Sequence, residues 1–323
     1  MFTRCVKQVN GCCDKEDIAS KFADYFSTIY FCNNLTRAKT LTEEYNNLRD
    51  GYFGLPVLCD LSVDTKTVGN VTSKLKRSKA FDIAGLTAEH LLFRHPILPV
   101  VLSRLFRLIL LCGHVSNGFK LSYIVPVPKP KKGISKSLSC DDFRGIAISP
   151  VLSKFFEYCF LDVFGFLFVC LKNQLGFKKG LGCSNAIHTL RQVVDSYVSK
   201  GTTVNICSIN LSKSFDKVNH CALFIKLMKR HFSVQLLDII VNLFTGCLSC
   251  VKWDSIYCSM FIITFRVRKG SVLSPILFNV YLKDVANIDI GLNRLCLILY
   301  ADYILLIAPS LTILGKLLHK CEL

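Results

Sequence analysis

Apolar residues recur at helical spacing from Lys15 to Tyr30, with Ile18, Phe22, Phe26 and Tyr30 on one stripe. That pattern predicts an amphipathic helix. Residues 33–63 carry no such stripe; polar side chains with Gly51, Gly54 and Pro56 predict a linker. Val68–Lys79 reads as a basic amphipathic helix, and Leu86–Phe93 as another opened by Thr87. Pro96 interrupts the period, and Leu98–Leu111 resumes it. Leu121–Pro126 and Phe143–Ser149 are strand-like runs on either side of a basic Pro/Gly loop, Lys129–Lys136. A long apolar helix is expected over Val151–Leu171, a further helix over Ala186–Ser199, and a strand over Val204–Leu211. His220–Leu248 reads as mostly helical, Val251–Arg268 as a hairpin around Asp254 and Ser255, and Pro275–Asp284 as a helix. Two apolar runs then flank Ala301-Asp302, which predicts a hairpin with a carboxylate at its tip. An aspartate buried there would be costly without a metal or a partner. Helices mixed with hairpins predict the α+β class.

Composition narrows the partners. The chain has 323 residues, 51% of them hydrophobic, enough for one large core or two. Lys and Arg number 40 against 23 acids, a formal charge of +17. Such a surplus favours a polyanion, nucleic acid ahead of an anionic membrane. The apolar segments Ile97–Gly113 and Phe155–Leu171 both carry charges and fall short of the roughly 20 uncharged residues of a span, so no membrane partner is expected. Seventeen cysteines follow a polar, basic N-terminus with no signal peptide. They read as free thiols of a reducing compartment, cytoplasmic or nuclear. Cys247 and Cys250 form a C-x-x-C with no second pair at finger spacing, so no zinc site is expected.

Three stretches carry the chemistry. Ser208–His220 (SINLSKSFDKVNH) is a strand running into a polar turn with an aromatic. Val267–Pro275 (VRKGSVLSP) is a basic loop opening a helix, and the Asp302 hairpin comes third. The three resemble, in order, the "DLSKAFDKVNH", "GVRQGSVLSPxLF" and "YADD" motifs of the reverse transcriptases of LINE-like, non-LTR retrotransposons. Upstream, Leu121–Lys129 resembles that family's "P-I-P-K" strand and Asp141–Ser149 its "YRPIS" strand. Asn173–Ser184 resembles "Q-x-G-F-x-x-G-x-S", and Lys79–Ala88 a worn "K-x-P-G-x-D-G-x" in which Ala84 replaces the aspartate. The resemblance spans roughly Leu75–Leu323.

It implies a right-hand polymerase fold with fingers and palm, the thumb absent. Boundaries follow: an N-terminal lead-in over about 1–75, then the polymerase-like domain over about 76–323, with fingers to about 175 and palm from about 176. The implied reaction is RNA-templated DNA synthesis, with RNA template, DNA primer and dNTP as partners and Mg²⁺ as cofactor. Two such ions would activate the attacking oxygen and stabilise the leaving one, and Mg²⁺ takes hard oxygen ligands. The family's metal-binding acids map to Asn210, Asp302 and Tyr303, and only Asp302 is an acid here. Asn210 offers a neutral carbonyl and Tyr303 an uncharged phenol. Asp216 lies six positions past Asn210 and is not expected to substitute. Without the companion motifs, Asp302 would read as an ordinary turn aspartate.

The resemblance also places Lys129 and Arg144 on the incoming nucleotide's phosphates, with a solvated basic loop as the alternative for Lys129. Phe215 takes the position of a steric gate beneath the sugar, or else is a core aromatic. Lys269 stands in place of a glutamine and Arg266 in place of a glycine, just before Gly270, where the backbone approaches the nucleotide. The expectation is a catalytically impaired reverse-transcriptase domain. The alternatives are a non-catalytic RNA- or DNA-binding remnant and a translated relic without selected function. The sequence leaves the oligomeric state open.

Overall fold

A computed structural model describes residues 8–29, 34–56, 62–129, 138–168, 173–178, 180–211, 214–263, 265, 267–268, 270–286 and 296–322. Helices α1 (Lys15–Ile29), α2 (Leu35–Asp50), α3 (Thr65–Ser73), α4 (Ala88–Leu92) and α5 (Leu98–Cys112) lead into strands β1 (Leu121–Pro128) and β2 (Phe143–Ile148). Then come α6 (Val151–Phe164), α7 (Cys183–Val198), β3 (Asn205–Asn210), α8 (His220–Met228) and α9 (Val234–Phe244). Strands β4 (Cys247–Trp253), β5 (Ile256–Tyr257) and β6 (Phe261–Ile263) precede α10 (Ser274–Tyr281) and α11 (Lys283–Ala286). The hairpin β7 (Cys296–Tyr300) and β8 (Tyr303–Ala308) and helix α12 (Leu311–Glu322) follow. The chain divides into two compact units, Met1–Leu167 with Phe215–Ser274, and Phe168–Ser214 with Pro275–Leu323.

In the first unit, β1 runs antiparallel to β2 and parallel to β4, with β5 and β6 both antiparallel to β4. Parallel pairing stops at Ile124. Pro126 and Pro128 therefore fall where β1 is paired on one side only, the setting that tolerates a missing N–H. The α1 stripe does what its spacing predicts: Ile18, Phe22 and Phe26 pack with Ile124, Phe143, Val251 and Trp253 in one core. Phe22 meets Phe143 edge-on at 4.9 Å and stacks on Trp253 at 5.3 Å. Tyr30 lies outside the described residues.

Several expectations need correction here. The polar stretch 33–63 contains a sixteen-residue helix, α2. Asn34 caps it by accepting from the Arg37 N–H. No residue of α2 is buried, so it carries no apolar stripe for the eye to find. It is held instead by polar and ring contacts: Arg49 with Asp238 at 2.5 Å, Lys229 with Glu44 at 3.5 Å, and Tyr45 against Phe224. Helix α3 stops at Ser73 rather than reaching Lys79. Downstream, Ser78 sits at φ +57° with its N–H on the Glu89 carboxylate, a geometry no helix allows. His220–Leu248 is two helices and the start of a strand. His231 (φ +54°) breaks the first, Ser233 caps the second, and Gly246 (φ +69°) turns the chain into β4. The helix expected from Val151 ends at Phe164, and residues 169–171 lie outside the described residues.

The described cysteines are free thiols. Burial pushes Cys159 up to about 12 and Cys250 up to about 11, whereas Cys13, Cys112 and Cys183 are exposed. Native labelling with a thiol reagent at neutral pH is expected to modify the three exposed cysteines and spare Cys159 and Cys250. Peptide mapping by mass spectrometry reads the result.

The second unit is a three-stranded antiparallel sheet in the order β3-β8-β7. Strict alternation sorts its side chains. Cys207, Ile209, Leu297, Leu299, Ile304, Leu306 and Ala308 point to one face, which Leu314 and Leu317 of α12 cover. Ile206, Ser208, Asn210, Tyr303 and Leu305 take the other face with Ile298 and Ile307; the last two are buried, whereas the first four are exposed. Among the described residues no helix is long and apolar enough to cross a membrane.

Candidate active site

The second face of this sheet ends, exposed, in the residues that the resemblance singles out. Asn210, last in β3, lies directly opposite Tyr303, first in β8. Asp302 precedes Tyr303 in the turn, and its carbonyl accepts from the Leu211 N–H at 2.9 Å. The turn that carries Asp302 therefore folds beside the tip of the Asn210 strand. Asp302 is half-buried rather than enclosed, so its carboxylate needs no compensating partner to exist. Tyr303 is 45% exposed.

This donor set does not fit a pair of divalent cations. Strand tips in this position can bring three oxygens together, but here they are a carboxylate, an amide carbonyl and a phenol. One formal negative charge faces the four positive charges of two Mg²⁺ ions. Among the described residues there is no group of three or more His, Cys, Asp or Glu able to hold a metal. Asp216 belongs to the first unit, where it is buried in a short 3-10 turn, Ser214–Lys217.

The residues expected to meet a nucleotide's phosphates and sugar lie in the first unit. Arg144 on β2 pairs with Val127, one diagonal step from Lys129, and both cations are exposed. Lys129 extends the β1–β2 ladder, donating its N–H to the Asp142 carbonyl at 2.8 Å, while its ammonium donates to the Asp141 carbonyl. Phe215 accepts from the Val267 N–H at 3.1 Å, which ties the aromatic turn to the start of the basic loop. Gly270 takes φ +84°, and a Cβ there would lie 2.5 Å from the Ala147 carbonyl oxygen. Only glycine fits that combination of left-handed backbone and close approach. So Phe215 meets Val267, and Gly270 meets the end of β2. Lys269, Arg266 and residues 130–137 of the basic loop lie outside the described residues.

Four further side chains make buried contacts that no motif announces. Glu157, with no exposed surface, accepts from Ser271 Oγ and the Val272 N–H at 2.5 Å each, and from the Leu273 N–H and Ser153 Oγ at 3.1 Å. Arg268, 4% exposed, pairs with it at 3.7 Å and donates to the Phe119 carbonyl at 2.7 Å. The arginine of the loop thus holds the fold together from inside. Asp82 is also buried. It accepts from the Ala84 and Leu86 N–H groups at 2.9 Å and caps α6 through the Val151 N–H at 2.8 Å. Gln174, fully buried, closes on the turn before Asp302. A lone glutamate inside an apolar helix, as in FFEYCF, is a signal that sequence could have yielded, because such a charge requires a partner.

Comparison with known proteins agrees with the family that the motifs resemble. The family described as reverse transcriptase (RNA-dependent DNA polymerase) matches residues 127–322. The chain belongs to that family, and its mixed helix and sheet architecture is consistent with the right-hand polymerase fold. The relatives it resembles are polymerases of mobile elements. It is 26% identical over 258 residues to the RNA-directed DNA polymerase from mobile element jockey of Drosophila funebris, covering 77% of this chain and 28% of the relative. It is 25% identical over 215 residues to the probable RNA-directed DNA polymerase from transposon X-element of Drosophila melanogaster, covering 65% of this chain and 23% of the relative. The chain thus spans less than a third of the length of these relatives. Among solved structures, apo telomerase from Candida tropicalis aligns with a TM-score of 0.47 at 15% identity, over 65% of this chain and 47% of the telomerase.

Proposed function

We propose that this reverse-transcriptase domain of a non-LTR retroelement is impaired in DNA synthesis because its metal site keeps one carboxylate of three. The observation that carries the reading is the register pair Asn210 and Tyr303 beside Asp302. Groups that act as a unit lose function far out of proportion when members are removed. RNA template, DNA primer and dNTP are the ligands of this reading. In it, Lys129 and Arg144 contact phosphates, Phe215 lies beneath the sugar, and Lys269 and Gly270 border the nucleotide. The fingers and palm fall on either side of about residue 175. Primer extension on an RNA template tests it, with Asp302→Asn as the control. Extension is expected at or near the level of that control. Robust metal-dependent synthesis that Asp302→Asn abolishes would overturn the reading.

A second reading is a nucleic-acid binder without chemistry. The adjacent, exposed Lys129 and Arg144 and the +17 charge favour it. Salt-dependent RNA binding without extension supports this reading, and salt-insensitive binding speaks against phosphate contacts.

A further inference from the structure

We propose that Gln174 is the positioning residue of the turn that carries Asp302. The inference rests on the reading of Asp302 given above. Only Ala301 and Asp302 connect β7 to β8. Ala301 takes φ +53°, a left-handed conformation that an alanine rarely adopts. Such a residue persists where its surroundings over-determine it.

Those surroundings are a single buried amide. Gln174 Oε1 accepts from the Ala301 N–H at 3.0 Å, and Gln174 Nε2 donates to the Ala301 carbonyl at 3.3 Å. Both peptide groups of Ala301 are thereby satisfied by one side chain. The same Oε1 accepts from the Gly176 N–H at 2.8 Å, which fixes the amide in its own segment. The backbone on either side of Gln174 is clamped to the hairpin: Leu175 N–H to the Leu299 carbonyl at 2.8 Å, and Leu299 N–H to the Asn173 carbonyl at 2.9 Å.

Gly176 supplies the second, independent observation. A Cβ there would lie 2.3 Å from the Ala301 nitrogen and 3.1 Å from its Cα. The segment therefore needs glycine at 176 to let the turn come this close. Amide and glycine converge on the one residue that precedes Asp302. On its other flank the Asp302 carbonyl is held by Leu211. Gln174 and Leu211 together fix the backbone of the acid from both sides, as an outer partner orients a ligand residue in a polar site.

Hydrogen exchange on the full wild-type chain gives the first test. The Ala301 amide lies in a two-residue turn, where amides ordinarily exchange freely. It is expected to be protected to the level of Leu306 and Ile307 in the strand beyond. Gln174→Met keeps the volume and removes both contacts. It is expected to speed exchange at Ala301 by about tenfold or more, the factor for a buried peptide group stripped of its partner. Leu306 and Ile307 should not follow. Gln174→Glu keeps the acceptor and loses the donor, and its effect should fall between the two. A role in stability alone would raise all hairpin amides together.

The second readout is Mn²⁺ affinity by electron paramagnetic resonance in the Asn210→Asp/Tyr303→Asp background. There Gln174→Met should weaken binding by about tenfold. An unprotected Ala301 in the wild-type chain overturns the inference, even if no variant folds. So does a Gln174→Met chain with unchanged Ala301 exchange or unchanged Mn²⁺ affinity. If the double variant with Gln174 intact binds no Mn²⁺, the functional reading of Asp302 fails, and the exchange pattern alone decides the role of Gln174.

Discussion

Asn210→Asp combined with Tyr303→Asp is expected to raise divalent-metal affinity by about a hundredfold or more. The two positions face each other across the β3–β8 pair, and Asp302 precedes one of them. Two new carboxylates would bring the local charge from one negative to three. A unit charge pair at about 4 Å is worth roughly 4 kcal/mol at the effective dielectric near a protein surface. Mutual repulsion of three acids and the cost of stripping water from them cancel part of that gain. A residue of about 2.7 kcal/mol corresponds to the hundredfold expected. Each single variant should gain less than half of the total in free energy, because three donors close round a cation better than two. Mn²⁺ or Mg²⁺ titration by calorimetry on the wild-type chain, both singles and the double variant checks this. Equal, weak affinity in all four would show that Asn210 and Tyr303 do not point to a common place with Asp302, and the assignment of this site would fall.

The parts of the fold that were legible in the sequence are those where burial and periodicity coincide. The α1 stripe and the Asp302 hairpin have apolar residues at the spacing of their element, and each packs as that spacing demands. The fold class followed from the mixture of helices with hairpins, and the meeting of Asn210 with Asp302 from the resemblance to the family's motifs. Helix α2 stayed hidden because it docks through Arg49, Glu44 and Tyr45, contacts that leave no period-3.6 trace. The boundaries in Ser73–Ser78 and His220–Cys247 depend on single left-handed residues, Ser78, His231 and Gly246, which composition does not announce for Ser or His. In the site, Gly270 and Phe215 were visible through their motifs. The contacts of Gln174, Glu157 and Arg268 were not, although the first and last stand in quoted motifs, because their work is long-range: partners 127, 115 and 149 positions away carry no local signature. The positive charge was read too simply as well. Arg268 and Lys120 are buried, and burial lowers the Lys120 pKa first of all causes, so neither adds to an exterior phosphate-binding surface.

Glu157→Leu is expected to cost about 3–5 kcal/mol of stability, and Arg268→Met a similar amount. Each single change leaves a buried charge without its partner, and that loss, more than the lost attraction, sets the size. Glu157 also anchors three donors of the 271–273 segment, Ser271 Oγ and the N–H groups of Val272 and Leu273, which would be stranded together. Glu157→Gln should be milder, about 1–3 kcal/mol, because one oxygen still accepts while the amide nitrogen opposes the remaining donors. The double variant Glu157→Leu/Arg268→Met is the informative one. It removes both charges at once, so its loss should fall well short of the sum of the singles, with a coupling of about 1–3 kcal/mol. Against a total stability of about 5–15 kcal/mol for a domain, the single variants should show a plainly shifted urea midpoint or fail to populate the native state. The loop that these bonds shape is the one in which Gly270 meets Ala147, so the singles should also loosen the Ser271–Ser274 amides in hydrogen exchange before the β1–β2 ladder responds. Additive losses, or a ladder that opens together with the loop, would mean that Glu157 and Arg268 are held by the fold and do not organise it.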